Sequence, residues 1–331
     1  MISSAAEIGF RVTGATRVVL RLSADDTVSD PEKEPYLPRF EVRLNGKQLL
    51  DARLTAAETS VTVFDGTEVR DAEIRLIKLN ESTSSLMALK SIDTDGKINP
   101  LPEKPMKMEF IGDSITCGYG VEGKSEAETF TTATENAAKA YAFLTAEELN
   151  ADAVMTCFSG HGIISGYTDN PAVRNASDLV PPYYEKEGRN NFRLTAGKRA
   201  EDFVRDFAAF QPDWVVLNLG TNDLSWCGTN RERGLQFAGL YTEFLKLVRK
   251  RNPKATILCV LGVMGTGLNA MMQLAAEKYC KETGDPAVHL LMLEEQNGSR
   301  DGYGSDYHPN EITQRLLARK VTDAIRQWTR Q

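Results

Sequence analysis

Five short apolar runs constrain the fold of the C-terminal two thirds of this chain: KMEFIGDS, DAVMTCFSG, DWVVLNLGTND, TILCVLGVMG and VHLLMLEE. Their apolar residues are consecutive rather than alternating, which is the texture of a strand covered on both faces. Between them lie amphipathic stretches of helical spacing, TENAAKAYAFLTAEELN, GKRAEDFVRDFAAF, RGLQFAGLYTEFLKLVRK and AMMQLAAEKYCKE. Strands alternating with helices need crossover connections, so the pattern predicts a doubly wound parallel sheet flanked by helices. Ligands of such sheets bind beyond the carboxyl ends of the strands, and the residues just after each run are the ones to read for chemistry.

Residues 7 to 98 have another period. FRVTGATRVVLRL, RFEVRLNGKQLLDARL, SVTVFDG and AEIRLIKL alternate apolar and polar residues, as half-buried strands do. Asn45-Gly46, Asp65-Gly66 and Asp95-Gly96 fall between such runs, where tight hairpin turns want positive φ. A small antiparallel β-sandwich is expected. INPLPEKPMK, with Pro100, Pro102 and Pro105, reads as a semi-rigid connection. The expected division is a β-sandwich domain over residues 1–104 and an α/β domain over 105–331, and with 41% hydrophobic residues the chain can fill two cores.

A net charge of −7 argues against a nucleic-acid partner and gives no attraction to an anionic membrane. Five cysteines, Cys117, Cys157, Cys227, Cys259 and Cys280, cannot all pair and show no CxxC spacing, which predicts reduced thiols. No run approaches a membrane span, and MISSAAEIGFRV is not a leader, so a cytoplasmic protein is expected, or a secreted one if a leader has been trimmed. No His/Cys/Asp group has ligand spacing, so neither metal nor other cofactor is expected.

The strand ends carry Ser114 after the first run, Ser159-Gly160 after the second and Gly220-Thr221-Asn222-Asp223 after the third. His308 stands just before the last helix, whose first residue is expected to be Pro309. A serine hydroxyl becomes a nucleophile when a base takes its proton, and imidazole titrates in the right range. Amides of Ser114 and Gly160 and the side-chain NH2 of Asn222 would then stabilise an oxyanion. The plainer alternatives are a turn serine at 114 and a helix-capping histidine at 308. Asp113 and Asp223 read as structural acids, His289 as a core histidine in its strand, and Trp214 as core. Trp226 and Tyr307 are candidate sugar platforms, because pyranose faces pack on aromatic planes. His161 is a candidate substrate contact. Segment 165–200 exceeds a usual connection and is expected to form a lid or rim.

GDSI, SG, GTND and DYHP, in this order over residues 108–310, resemble the four blocks of the SGNH, or GDSL-type, hydrolases. GDSITCGYGVEG, TTATENAAKAYAFLTAEELNAD and SGHGI, following the β-rich segment, are similar to family 2 of the carbohydrate esterases. That resemblance implies an SGNH α/β domain preceded by a jelly-roll-like β-sandwich, and removal of acetyl groups from xylan and related plant polysaccharides through an acetyl-serine intermediate. It implies an acetylated oligosaccharide as partner. A lipase or thioesterase on the same fold is the alternative, and an inert carbohydrate-binding protein a second one. Most SGNH enzymes place an aspartate three residues before the histidine, where this chain has Ser305. Some family members are understood to use a Ser-His dyad oriented by a backbone carbonyl. If residues 306–308 are extended, Asp306 lies on the same side as His308 and completes a triad. Both options stand, with a lean to Asp306 as the only acid within three residues before His308.

Overall fold

The computed structural model describes residues 1–190 and 197–329. The N-terminal strands are β1 (Glu7–Ala24), β2 (Arg39–Leu44), β3 (Lys47–Arg53), β4 (Glu58–Lys78), β5 (Met87–Thr94) and β6 (Lys97–Pro100). They form a six-stranded sheet of order β3-β2-β4-β1-β5, with β6 added on β1. Every pairing is antiparallel. The alternation seen in the sequence puts Phe10, Val12, Val18 and Leu20 of β1 into one core with Phe40, Val42, Val61, Ile74 and Leu76.

Asn45-Gly46 is a two-residue hairpin turn between β2 and β3, with φ of 50° and 77°. Asp95-Gly96 joins β5 to β6, and its glycine serves close packing, since a Cβ there would lie 2.7 Å from the Thr13 carbonyl oxygen. Asp65-Gly66 is no turn. It lies inside β4, where the ladder steps from Arg70, opposite Ala15, to Asp65, opposite Arg17. The two runs around it are one long strand interrupted by a bulge.

The five apolar runs are β7 (Met106–Gly112), β8 (Ala151–Cys157), β9 (Trp214–Asn218), β10 (Thr256–Leu261) and β11 (Val288–Met292), all parallel, in the order β11-β10-β9-β7-β8. Chain order reverses at β7/β9, which opens a crevice at the carboxyl ends of these two strands. Helices α1 (Ser114–Cys117), α2 (Tyr141–Glu148), α3 (Thr221–Cys227), α4 (Arg231–Arg251), α5 (Asn269–Thr283), α6 (Gly298–Asp301) and α7 (Glu311–Thr329) follow the strands. Trp214 and Val216 pack with Tyr141, Ala142, Leu317 and Val321 of α2 and α7 on one face. Val215 and Leu217 pack with Phe237, Tyr241, Met272 and Ala275 of α4 and α5 on the other.

The helix expected over 197–210 is reduced to a 3-10 turn at Ala200–Asp202. Backbone bonds Glu187 N to Phe203 O (3.0 Å) and Arg205 N to Glu185 O (3.1 Å) hold the segment extended. Arg205 is also tied to the fully buried Glu109. Helix α7 starts two residues later than expected, because Asn310 caps it by accepting from Ile312 N (3.1 Å) and Thr313 N (3.2 Å). Among the described residues no helix is long and apolar enough to cross a membrane.

The two sheets are tied together by polar contacts. Arg39 of β2 reaches Glu122 at 2.6 Å and the Glu135 carbonyl at 2.9 Å, and Ala137 N donates to Leu79 O at 2.8 Å.

Candidate active site

Strand β7 ends at Gly112, where a Cβ would fall 2.0 Å from Thr116 Oγ1, so the glycine leaves room for the first turn of α1 to pack against the strand end. Asp113 caps α1 through Oδ1, which accepts from Ile115 N at 3.0 Å. Ser114 is the first helical residue and is 4% exposed. Gly118, at φ 79°, ends the helix in the left-handed conformation. The Gly120 carbonyl accepts from Ser305 N at 2.9 Å. GDSITCGYG therefore presents the serine with its first half and docks the histidine loop with its second.

His308 Nε2 accepts from Ser114 Oγ at 2.8 Å, and His308 Nδ1 donates to the backbone carbonyl of Asp306 at 3.0 Å. A carbonyl can only accept, so it fixes the neutral tautomer with its lone pair toward Ser114. The Asp306 carboxylate faces away, where Oδ2 accepts from Tyr119 Oη (2.9 Å) and Phe130 N (3.0 Å). The expected Asp306–His308 carboxylate contact is thus replaced by a carbonyl contact. Residues 305–307 are not extended; Asp306 and Tyr307 both take left-handed φ, 49° and 63°. Such strain in non-glycine residues persists where the surroundings impose it, and here Tyr119, Phe130 and the Gly120 carbonyl hold the loop.

Tyr119, which sequence reading passed over, also covers the imidazole, its ring centroid 4.1 Å from that of His308 and 3.9 Å from that of Phe130. The signal was an aromatic between two glycines of the nucleophile loop. Asn accepts the same bonds as Asp and tolerates left-handed φ. Loss of a triad carboxylate costs about 10⁴-fold, but Asp306→Asn should lower kcat on an acetyl ester by less than about tenfold. A fall beyond about 10³-fold in a verified fold would return the carboxylate to the histidine.

Across the crevice, Gly160 sits at φ 75° after β8, and a Cβ added there would meet nothing within 4 Å. Asn222, in the first turn of α3, donates through Nδ2 to the His161 carbonyl at 2.9 Å and lies 3.4 Å from Asp113 Oδ2, bridging the nucleophile loop and the Gly160 loop. Asp223 Oδ1 accepts from the backbone N–H of Ile163 (2.9 Å), Ile164 (2.6 Å) and Ser165 (3.0 Å). Burial pushes its carboxyl up to about 6 and that of Asp113 up to about 7. Both acids sit as structural supports of loops.

His161 is 3% exposed, its ring set between Phe158 and Tyr183. Its Nδ1 donates to the Ser159 carbonyl at 2.8 Å and braces the turn from beneath, while Nε2 lies 3.8 Å from Asp178 Oδ1. Trp226 packs on the α4/α5 core, and the Arg233 guanidinium lies 4.5 Å from its ring centroid with Arg174 at 6.0 Å. Tyr307 is 60% exposed beside His308, with Tyr303 5.5 Å away edge-on. His289 stacks on Trp328 at 4.0 Å in the edge strand.

Of segment 165–200, residues 191–196 lie outside the described residues. The described part is pinned to the site loop, with Gly162 N donating to Asp178 O (3.1 Å) and Val180 N to Gly162 O (2.8 Å). Among the described residues one three-member group, Glu81, Cys117 and Glu135, brings potential metal-ligand atoms within 4.8 Å of one another, a cluster that sequence spacing does not reveal.

Residues 110–316 match the GDSL-like Lipase/Acylhydrolase family. A cellulase/esterase, CelE, of Acetivibrio thermocellus is 33% identical over 298 residues, which are 87% of this chain; the chain spans only 34% of that protein's length. An acetylxylan esterase/glucomannan deacetylase of Cellvibrio japonicus is 26% identical over 277 residues, 83% of this chain and 72% of that one. The family two carbohydrate esterase from Clostridium thermocellum, solved in complex with cellohexaose, has a TM-score of 0.81 at 28% identity, covering 99% of this chain and 94% of its own. Motif blocks, strand-end geometry and likeness over both sheets agree, and the chain belongs to the GDSL-like lipase/acylhydrolase family, similar throughout to its family two carbohydrate esterases.

Proposed function

We propose that this chain is a serine esterase that removes O-acetyl groups from plant cell-wall oligo- or polysaccharides of the xylan and glucomannan type, through an acetyl-serine intermediate. The observation that carries the reading is the hydrogen bond from Ser114 Oγ to His308 Nε2, 2.8 Å long, at the carboxyl end of β7. Ser114 attacks the acetyl carbonyl while His308 takes its proton. The developing oxyanion is received by the amides of Ser114 and Gly160 and by Asn222, whose side-chain NH2 keeps a second hydrogen beside the one given to the His161 carbonyl. His308 then protonates the departing sugar oxygen and afterwards activates the water that frees acetate. Exposed Tyr307 beside the histidine suits a sugar face at the rim. The acetylxylan, glucomannan and cellohexaose associations of the relatives support the carbohydrate side of this reading. The five free thiols support work in a reducing compartment.

Mass spectrometry of acetylated xylo- and manno-oligosaccharides before and after incubation tests the proposal. The expected result is loss of acetyl groups from one or both, faster than turnover of a long-chain ester. Faster long-chain turnover favours a lipase or thioesterase, and unchanged sugars with no ester cleavage at all favour an inert binding protein.

A further inference from the structure

Donors that stabilise an oxyanion act because they are already in place when the charge forms. The Ser159–Gly160 turn has to be held accordingly, and Ser159, the residue before Gly160, is gripped through both of its main-chain groups. The Ser159 carbonyl accepts from His161 Nδ1 at 2.8 Å, and the Ser159 N–H donates to Glu81 Oε2, also at 2.8 Å. Glu81 does not come from the parallel sheet. It follows β4 of the antiparallel sheet by three residues and is 1% exposed.

The same Oε2 lies 3.8 Å from Cys117 Sγ at the end of α1, so one carboxylate touches both the helix that presents Ser114 and the turn that presents Gly160. Glu81 is itself fixed. Its N–H donates to Glu135 Oε1 at 2.9 Å, and its carbonyl accepts from the buried Lys78 Nζ at 3.2 Å.

The charges around it are those of a mount rather than of a metal site. Burial, then the neighbouring Glu81, raises the Glu135 carboxyl well above the usual range, and its second oxygen is buried without a partner. Burial lowers the Lys78 ammonium to about 8. A cation placed here would compete with that ammonium and would have to displace the Ser159 N–H.

We propose that Glu81 is a positioning residue of the ester-cleaving site, a side chain just beyond β4 of the N-terminal sheet that fixes the Ser159 N–H and, through that residue, the Gly160 amide where the oxyanion forms. The proposal rests on reading Gly160 as an oxyanion donor. It makes the N-terminal sheet a working part of the centre rather than an appendage.

The test uses the full chain with Glu81→Ala and Glu81→Gln, assayed on 4-nitrophenyl acetate and on acetylated xylo-oligosaccharide, with near-ultraviolet circular dichroism to verify the fold. Removal of an oxyanion donor costs about 10² to 10³ in kcat, and a loosened donor less, so Glu81→Ala should lower kcat about 10- to 100-fold with KM within about threefold. Glu81→Gln, which keeps an oxygen acceptor for Ser159 N–H, should recover kcat to within about fivefold of wild type. Inhibition by methylboronic acid, which turns tetrahedral on Ser114 and places an oxygen at the oxyanion position, should weaken in step with kcat. A folded Glu81→Ala with kcat within about threefold of wild type would overturn the proposal, as would an equal loss in Glu81→Gln or an effect confined to KM. If Glu81→Ala does not fold, Glu81→Asp withdraws the oxygen by one methylene and is judged by the same criteria. Organophosphonate labelling of wild-type Ser114 separates the two ideas: no adduct there removes the esterase reading, whereas an adduct with an indifferent Glu81→Ala removes only this inference.

Discussion

Ser114→Ala should lower kcat on an acetyl ester by about 10⁴- to 10⁶-fold while the protein stays folded. The next hydroxyl along the chain cannot stand in. Thr116 Oγ1, two residues on, is engaged with Tyr141 Oη at 3.0 Å. The side chain lost is small, and the bond it leaves unmade, from Oγ to His308 Nε2, is a single neutral one worth about 1 kcal/mol. The melting temperature should therefore shift by only a few degrees. An organophosphonate should label wild-type protein at Ser114 alone, read by peptide mass spectrometry, and leave Ser114→Ala unlabelled. Phosphonylation at another serine, or turnover by the variant within about a hundredfold of wild type, would remove Ser114 from the nucleophile role.

Much of this arrangement is legible in the chain because it is local. A strand buried on both faces must be a continuous apolar run, so all five strands of the parallel sheet stand where the runs are. Strand ends in such a sheet face one rim, and Ser114, Gly160, Asn222 and His308 can be read from their places in the order. What is not legible depends on contacts between distant segments. Asp65-Gly66 carries a turn signal, but the pairing of β4 with β1 extends through it as a bulge. The stretch 197–210 has helical spacing, but its backbone is taken by residues 185–187 and Arg205 by buried Glu109. Asp306 reads as a triad acid only if the chain around it is extended, whereas Tyr119 and Phe130 draw its carboxylate the other way. Glu81 belongs to no motif at all, because it reaches the site from the other sheet. Supports of this kind are invisible to spacing, since nothing in LNESTSSLM indicates which turn the glutamate will meet.

His308→Ala should be about as damaging as Ser114→Ala, about 10⁴-fold or more in kcat, and the double variant no worse than either single one, because nucleophile and base act as one unit. Independent contributions would instead multiply. Nothing nearby can replace the base: the nearest acid, Asp306, has its carboxylate committed to Tyr119 and Phe130 N. The pH profile gives the same assignment a second signature. Burial pushes the His308 imidazole down from 6.5 to about 4, against the smaller opposing pull of the Asp306 and Ser305 backbone groups and the Asp306 charge. Only the neutral ring can accept the serine proton. Activity is therefore fully present above the ordinary imidazole range, persists as the pH falls below it, and is lost as the pH drops through about 4. A triad carboxylate on Nδ1 would have the opposite effect, stabilising the imidazolium and moving the acid limb up. Measuring kcat/KM on an acetyl ester from about pH 3.5 to pH 8 decides between them: a limb near pH 4 is what a buried histidine held by a carbonyl requires, and a limb at pH 6 to 7 would mean that the ring is paired with a charge or open to water.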